Sequence, residues 1–386
     1  MARPEKQPVR LWRIVFPFIK LGFTAFGGPA AAYALMRQEF VLQRKWLSDE
    51  KFFDYLGVAN LVPGPNATEM AMMIGFARAG WWGLLLGGIF YILPAMLIVM
   101  VLAGIYVRFG ALPALNGLLY GIKPVVVSVL ISAMWGMLKP RVKNYLGLLV
   151  AAAVCAAYLL GISPFILLLA GGLILWTIRC FETQKILLGL SILWLQFPLR
   201  PLGDTLQPGS YSLLRLFWLF LKAGALMLGS GYVLLAFIQD DLVHKLGWLT
   251  QSQLVDAIAV GQVTPGPLST TATFVGFVLG GVPAGILSTL AMFLPSFIVV
   301  IIVVRFIEKM RNSKPLAGIL EGVSFAALGL MAGVTWEIGV EALMDPSTAF
   351  IMVISLFMIL ILNVNAPLLI LGGGTLGLLR VIFFGG

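Results

Sequence analysis

The feature that most restricts the fold is a run of apolar residues at 82–107, "WGLLLGGIFYILPAMLIVMVLAGIYV", which contains no charged side chain. About 20 such residues cross a bilayer as a helix, and hydrocarbon excludes loops and strands whose backbone polar groups are unpaired. Similar runs recur along the chain, which is 60% hydrophobic and only 11% charged. The sequence therefore predicts an all-α polytopic membrane protein.

Eight segments are predicted to be full crossings, and the linking stretch 185–202 is expected to cross as well. Two further segments, 12–36 and 211–238, contain "FGGP" and "LGSG", where glycine permits a break. They are predicted to be bent spans or re-entrant hairpins, and the sequence does not choose between these. The eight full crossings are 82–107, 113–138, 144–160, 163–180, 282–305, 315–337, 347–362 and 366–384.

Composition also excludes several classes of function. The net charge of +10 comes mostly from short loops, where basic residues record membrane orientation, so nucleic acid is not an expected partner. His244 is the single histidine, which argues against a multi-histidine metal site, and we expect no metal and no cofactor. The basic N-terminus lacks a small-residue cleavage site and is expected to stay as a cytoplasmic tail.

The chain repeats itself at a shift of 202 and then 201 residues. Lysines, carboxylates and tryptophans match at this shift, which apolar composition alone would not produce. We predict an N-terminal repeat at 1–184, a linking segment at 185–210 and a C-terminal repeat at 211–386. Matched pairs include Lys20 with Lys222, Asp54 with Asp256, Pro63-Gly64-Pro65 with Pro265-Gly266-Pro267, and Trp135 with Trp336.

The distribution of Lys and Arg is inverted between the two repeats. The first-half loops 37–51 and 139–143 hold four and three basic residues, whereas their counterparts 239–252 and 337–346 hold one and none. The turn 108–112 holds one, and its counterpart 305–314 holds four. Because positive residues favour the cytoplasmic side, this pattern indicates two halves of inverted topology.

Each Pro-Gly-Pro is predicted to be the tip of a broken helix pair. The apolar segments beside the first one, 52–62 and 66–79, give only about 16 and 21 Å of helix, short of a hydrocarbon core of about 30 Å. The first proline ends one helix and the second suits the start of another. The helix starts at Asn66 and Leu268 then point free N–H groups and a positive dipole end beyond the tip.

Paired tips of this kind predict a site for a small tetrahedral oxyanion between them, near the bilayer midplane. In the alternative interpretation, Asn66 and Ser269 only cap helices and the prolines are structural kinks. The expected substrate-binding residues are Gly64, Asn66, Ala67 and Thr68 at the first tip, Gly266, Leu268, Ser269, Thr270 and Thr271 at the second, and Lys20, Lys222, Gly27 and Gly28 nearby.

Ionisable residues within apolar segments are costly and suggest function. Glu69, whose counterpart is Thr271, is a candidate for proton coupling, although a carboxylate in a first helical turn also complements the dipole. Asp54 and Asp256 are further coupling candidates, with interfacial or capping roles as the alternative. Lys20 and Lys222 either add positive potential or extend to the membrane interface.

Three long motifs resemble those of the chromate ion transporter (CHR) family over essentially the whole chain: 21–41, 61–76 and 259–277. The resemblance implies a two-domain transporter that arose by duplication and exports chromate across the bacterial-type inner membrane, with sulfate as the structural analogue. The motif positions present are Gly27, Gly28, Pro29, Arg37, Glu39, Pro63, Gly64, Pro65, Asn66, Gln262, Pro265, Gly266, Pro267 and Thr270.

Alternative functions remain at this point. An uptake carrier for sulfate or another anion uses the same helix-end chemistry, and a non-transporting structural or lipid-handling membrane protein is a third reading. An enzyme is not expected, since no histidine cluster and no serine with a plausible base is found. Gly171 and Gly172 allow close helix approach and suggest a possible homodimer.

Overall fold

The computed structural model describes residues 11–26, 28–59, 62–110, 112–183, 211–227, 231–304 and 314–384. Every regular element within these ranges is helical. The linking segment 185–210, including its predicted crossing, lies outside them.

The described helices of the first half follow one another with short connections. A π-helical segment, Arg37–Gln43, continues from the second helix. The helices are α1 (Leu11–Thr24), α2 (Gly28–Met36), α3 (Asp49–Ala59), α4 (Asn66–Phe109), α5 (Pro113–Leu138), α6 (Tyr145–Leu159) and α7 (Pro164–Thr183).

The second half repeats these elements in the same order, including a π-helical segment at Gln239–Lys245. This correspondence confirms the duplication. The helices are α8 (Leu213–Leu226), α9 (Val233–Ile238), α10 (Gln251–Val263), α11 (Thr271–Val303), α12 (Lys314–Ala342), α13 (Pro346–Leu360) and α14 (Ala366–Phe384).

Helices α4 and α11 each contain a break near their first third. Gly80 and Gly281 have φ of 61° and 69°, a left-handed conformation that glycine adopts at little cost. Glycines on either side of the first break, Gly75 and Gly83, are in close contact. The helix that follows each Pro-Gly-Pro is therefore short and is separated by this break from the long helix after it.

Among the described residues, five helices are long and apolar enough to cross a bilayer: α4, α5, α11, α12 and α14. Helices α6 and α13 have 15 residues each, which gives about 22 Å of rise. Many large apolar side chains are exposed, among them Trp82, Val101 and Phe350. Such extended apolar surfaces fit lipid contact, and the chain is a multi-pass membrane protein.

Two hydrogen bonds, each from α5 or α12 to the turn that follows the other helix, show how the halves are related. The Tyr120 hydroxyl donates to Asp345 at 2.5 Å, and the Asn144 amide donates to Glu321 at 2.8 Å. Tyr120 and Glu321 lie in the early parts of α5 and α12, whereas Asn144 and Asp345 lie in the turns after these helices. At the 201-residue shift Tyr120 matches Glu321 and Asn144 matches Asp345, so each bond is the repeat equivalent of the other. The equivalent helices therefore run antiparallel, which supports the inverted topology read from the loop charges.

Glycines bring helices of the two halves into backbone contact. Gly121 of α5 faces Gly373 of α14, and Gly322 of α12 faces Gly171 and Gly172 of α7. The two glycines that suggested a homodimer thus pack within the chain. They no longer support a dimer.

We predict opposite effects for two glycine substitutions in α5. In Gly121→Ala the new Cβ overlaps the carbonyl oxygen of Gly373, so we expect a loss of about 1–3 kcal/mol in unfolding free energy. Gly136→Ala meets no atom within 4 Å and should gain about 0.5–1 kcal/mol of helix propensity. Thermal unfolding of the purified protein in detergent measures both; equal midpoints would contradict the α5–α14 packing.

Candidate functional site

The two Pro-Gly-Pro tips have the conformation that their sequence predicts. Gly64 and Gly266 have φ of 137° and 99°, values that side-chain-bearing residues rarely adopt. After the first tip, α4 begins at Asn66. After the second, Leu268 begins a single 3₁₀ turn that leads into α11.

Each tip is hydrogen-bonded to the opposite half. The Gly64 N–H donates to the Met227 carbonyl at 2.7 Å, and the Gly266 N–H donates to the Ala25 carbonyl at 3.0 Å. Ala25 and Met227 are repeat equivalents that follow α1 and α8, at the glycine-containing breaks. The halves are therefore interlocked, because each completes the backbone pairing of the other's tip.

Met227 also connects the tips to each other. Its sulfur accepts a hydrogen bond from the Ser269 hydroxyl at 3.7 Å, while its carbonyl accepts from Gly64. The structure thus brings residues of the two predicted half-sites together around one residue.

The helix starts differ in how their polar groups are used. Neither Pro65 nor Pro267 supplies a side-chain cap. The hydroxyls of Thr270 and Thr271 donate to the carbonyls of Pro267 and Leu268, at 3.0 and 2.8 Å. The buried Thr68 hydroxyl has no hydrogen-bond partner among the described residues. Of these three hydroxyls, that of Thr68 is therefore the one whose proton is not already donated to a neighbouring carbonyl.

Glu69 lies in a closed polar cluster beside the first tip. Its carboxyl is fully buried, and the Ser296 hydroxyl lies next to it. A Cβ on Gly64 would overlap both Glu69 Oε1 and Ser296 Oγ, so these atoms surround the tip glycine. Tyr33 faces Glu69, and Tyr91 lies next to Tyr33.

This cluster is absent from the second half, because its members change identity between the repeats. Thr271 takes the place of Glu69, and Ala95 takes the place of Ser296. A Cβ on Gly266 would lie 2.7 Å from that of Ala95, so the second tip meets an apolar neighbour. Ser296 is not among the residues predicted from the sequence, although a serine directly after the matched Pro295 in an apolar helix is a usable signal.

The remaining predicted residues lie at several places. Lys20 and Lys222 are half-exposed and pair with Glu39 and Asp241, each at 2.7 Å, so their ammonium groups are engaged by carboxylates. Their role in anion binding stays a prediction. Gly28 begins α2, Ala67 is buried in the first turn of α4, and Gly27 lies outside the described residues.

The two aspartates differ in environment. Asp54 is partly buried on α3, whereas Asp256 on α10 is 3% exposed and accepts a hydrogen bond from the Tyr106 hydroxyl at 2.9 Å. Their roles in coupling also stay predictions.

Known proteins resemble this chain over nearly its whole length. A family model described as "Chromate transporter" matches residues 12–176 and again 214–378, once in each half. A chromate transport protein of Cupriavidus metallidurans is 27% identical over 372 residues, covering 95% of this chain and 92% of that protein. One of Pseudomonas aeruginosa is 31% identical over 336 residues, covering 83% and 79%. An uncharacterized transporter of Methanocaldococcus jannaschii is 29% identical over 378 residues, covering 95% and 93%. No solved structure matches.

We predict that the first tip tolerates no side chain at its glycine. Gly64→Ala adds both a strained left-handed residue and an overlap with Glu69 and Ser296. The control is Gly161→Ala, which has φ of 86° but meets nothing within 4 Å, so it should cost only about 1–2 kcal/mol. Midpoints of thermal unfolding in detergent should fall much further for Gly64→Ala, and equal losses would show that the contact between the halves is unimportant.

Proposed function

The chain belongs to the chromate transporter family, a family of membrane transporters rather than enzymes, and we propose that it exports chromate or a similar tetrahedral oxyanion. The site lies between the two Pro-Gly-Pro tips. The setting is a bacterial-type inner membrane with the N-terminus in the cytoplasm.

The observation that carries this proposal is the meeting of two helix starts of opposite halves around Met227. A helix N-terminus carries about half a positive charge and exposes unpaired N–H groups, which favours an anion. Asn66 and Thr68 from one side and Ser269 and Thr270 from the other add polar side chains. The helix ends supply positive potential without an arginine that would hold a dianion too tightly for release.

Alternating access follows from the interlocked halves. Because the tip of each half is bonded to the break after the first helix of the other, rocking one half moves both walls of the site. Inverted repeats allow two related arrangements, one open to each side. The anion is exposed first to the cytoplasm and then to the outside.

The membrane potential favours export. Moving each unit negative charge out of an inside-negative cell is downhill by about 2.3 kcal/mol per 100 mV. A dianion therefore needs no further energy source. Uptake of sulfate is the competing direction, and a non-transporting structural or lipid-handling role predicts no flux at all.

We expect the double variant Asn66→Leu with Thr270→Val to lose at least about tenfold of potential-driven chromate flux, because both helix starts lose polar groups. The measurement is chromate and sulfate flux in proteoliposomes at fixed pH, with the potential set in either direction. The control is Thr375→Val, which removes an exposed threonine hydroxyl on α14.

Three outcomes separate the readings. Undiminished flux of both anions in the double variant would move the site away from the tips. Sulfate flux without chromate flux in the wild type would favour the uptake carrier. No flux of either anion would support the structural or lipid-handling role.

We propose in addition that Glu69 couples proton movement to anion export, since its carboxyl is fully buried beside the first tip, next to the Ser296 hydroxyl, where the charged form is costly. Glu69→Gln keeps the shape and cannot release a proton. It should keep potential-driven flux but lose the acceleration that an inward proton gradient gives the wild type. Glu50→Gln, an exposed residue on α3, serves as control. An unchanged response to the gradient in Glu69→Gln would exclude Glu69 from coupling.

A further inference from the structure

A cavity of about 280 Å³ lies where α4, α5, α10 and α12 converge at one end of the bundle. Its lining combines polar side chains with one buried lysine. The residues that define it are Tyr106, Tyr120, Lys123, Ser252, Asp256 and Met344. Only Asp256 was singled out from the sequence, and the tip site does not use this cavity.

Lys123 and Asp256 form a loose buried pair in the cavity wall. Lys123 is 11% exposed, donates to Ser252 Oγ at 2.6 Å and lies 3.7 Å from Asp256 Oδ1. Asp256 Oδ2 accepts from Tyr106, whereas Oδ1 is buried without a hydrogen bond. A buried ion pair of this separation does not recover its desolvation cost through its own attraction. The wall therefore offers a cationic donor and a carboxylate oxygen with an open acceptor position.

Further charged residues near the cavity are Glu341, Asp345 and Arg380. Glu341 of α12 adds negative potential at Asp256. Tyr120 donates to Asp345, and Arg380 of α14 lies 3.6 Å from Asp345 with its guanidinium 4.0 Å above the Tyr120 ring. Lys123 is thus the cation that faces Asp256, together with Tyr106 of α4 and Ser252 of α10.

We propose that this cavity is a second binding station, which holds one small oxyanion together with one proton. The anion accepts hydrogen bonds from Lys123, and the proton lies between an anion oxygen and Asp256 Oδ1. A water molecule occupies about 30 Å³ of liquid, so the volume accommodates a tetrahedral oxyanion with several waters. The identity of the anion rests on the proposed function.

The station exists in only one half. Ser324 is the repeat equivalent of Lys123, and Asp54 is that of Asp256. The cavity lies beside the α4–α5 and α12–α13 turns, on the face where the loops carry few basic residues, so it belongs to the outer side.

The cavity is lined in part by α10, which precedes the second tip, and its Tyr106 packs against α11, which follows that tip. Asp256 is ten residues before Gly266, about 15 Å of helical rise, and the Tyr106 ring lies 5.2 Å from that of Phe274 on α11. An anion that leaves the tips outward would meet this station before release.

The test is equilibrium binding of radiolabelled chromate and of sulfate to the purified full-length protein in detergent, across pH. We expect two sites in the wild type. Lys123→Met should weaken one of them at least tenfold, and Asp256→Asn should keep that site but remove its dependence on pH. The controls, Ser324→Ala at the repeat equivalent of Lys123 and Glu50→Gln at an exposed carboxylate of α3, should leave both sites unchanged.

A second pair of variants separates this inference from the tip site. The variant with both Lys123→Met and Asp256→Asn removes the pair without leaving a buried charge alone, so it keeps the fold and should still lose the station. Asn66→Leu with Thr270→Val should lose only the tip site. A single wild-type site that survives Lys123→Met overturns the station, whereas two sites that survive the tip substitutions overturn the tip proposal alone.

Discussion

The structure depends on two backbone hydrogen bonds that join the halves and are repeat equivalents of each other. Gly64 donates to the carbonyl of Met227, and Gly266 donates to that of Ala25. In an apolar interior an unpaired N–H costs about 1–3 kcal/mol, so each tip needs the carbonyl that the other half provides. The breaks after α1 and α8 leave those carbonyls free of helical pairing. Two helix starts thereby meet inside the protein, at the place where we propose that the anion binds.

Duplication accounts for the arrangement of helices, and divergence between the repeats accounts for the polar side chains that differ between the halves. The helices, breaks and tips recur in both halves, and so do the Lys20–Glu39 and Lys222–Asp241 pairs. Glu69, Ser296 and Lys123 instead differ from their repeat equivalents, which are Thr271, Ala95 and Ser324. Two identical halves would bind and release an anion alike on both sides. In the proposed mechanism, polar groups confined to one half would give the two sides different affinities and different responses to protons.

Local rules account for what was predicted well. The bounds of α5 and α14, the breaks at the paired glycines and the helix start at Asn66 follow from apolar length, proline and glycine. The π-helical segments at 37–43 and 239–245 were missed, because their apolar pattern does not separate them from α-helix. Ser296 and Lys123 were missed because their importance comes from partners on other helices.

The sequence by itself determined the membrane class, the duplication, the inverted orientation and the positions of the tips. The membrane class follows from the apolar segments that a lipid bilayer requires. The tips follow from proline and glycine, whose backbone preferences act within a turn or a loop. Only the tertiary structure decided which groups surround Glu69, that Lys20 and Lys222 pair with carboxylates, and that Gly171 and Gly172 pack inside the chain. Such contacts join residues far apart in the chain, and the relative placement of packed helices, rather than any local preference, sets them.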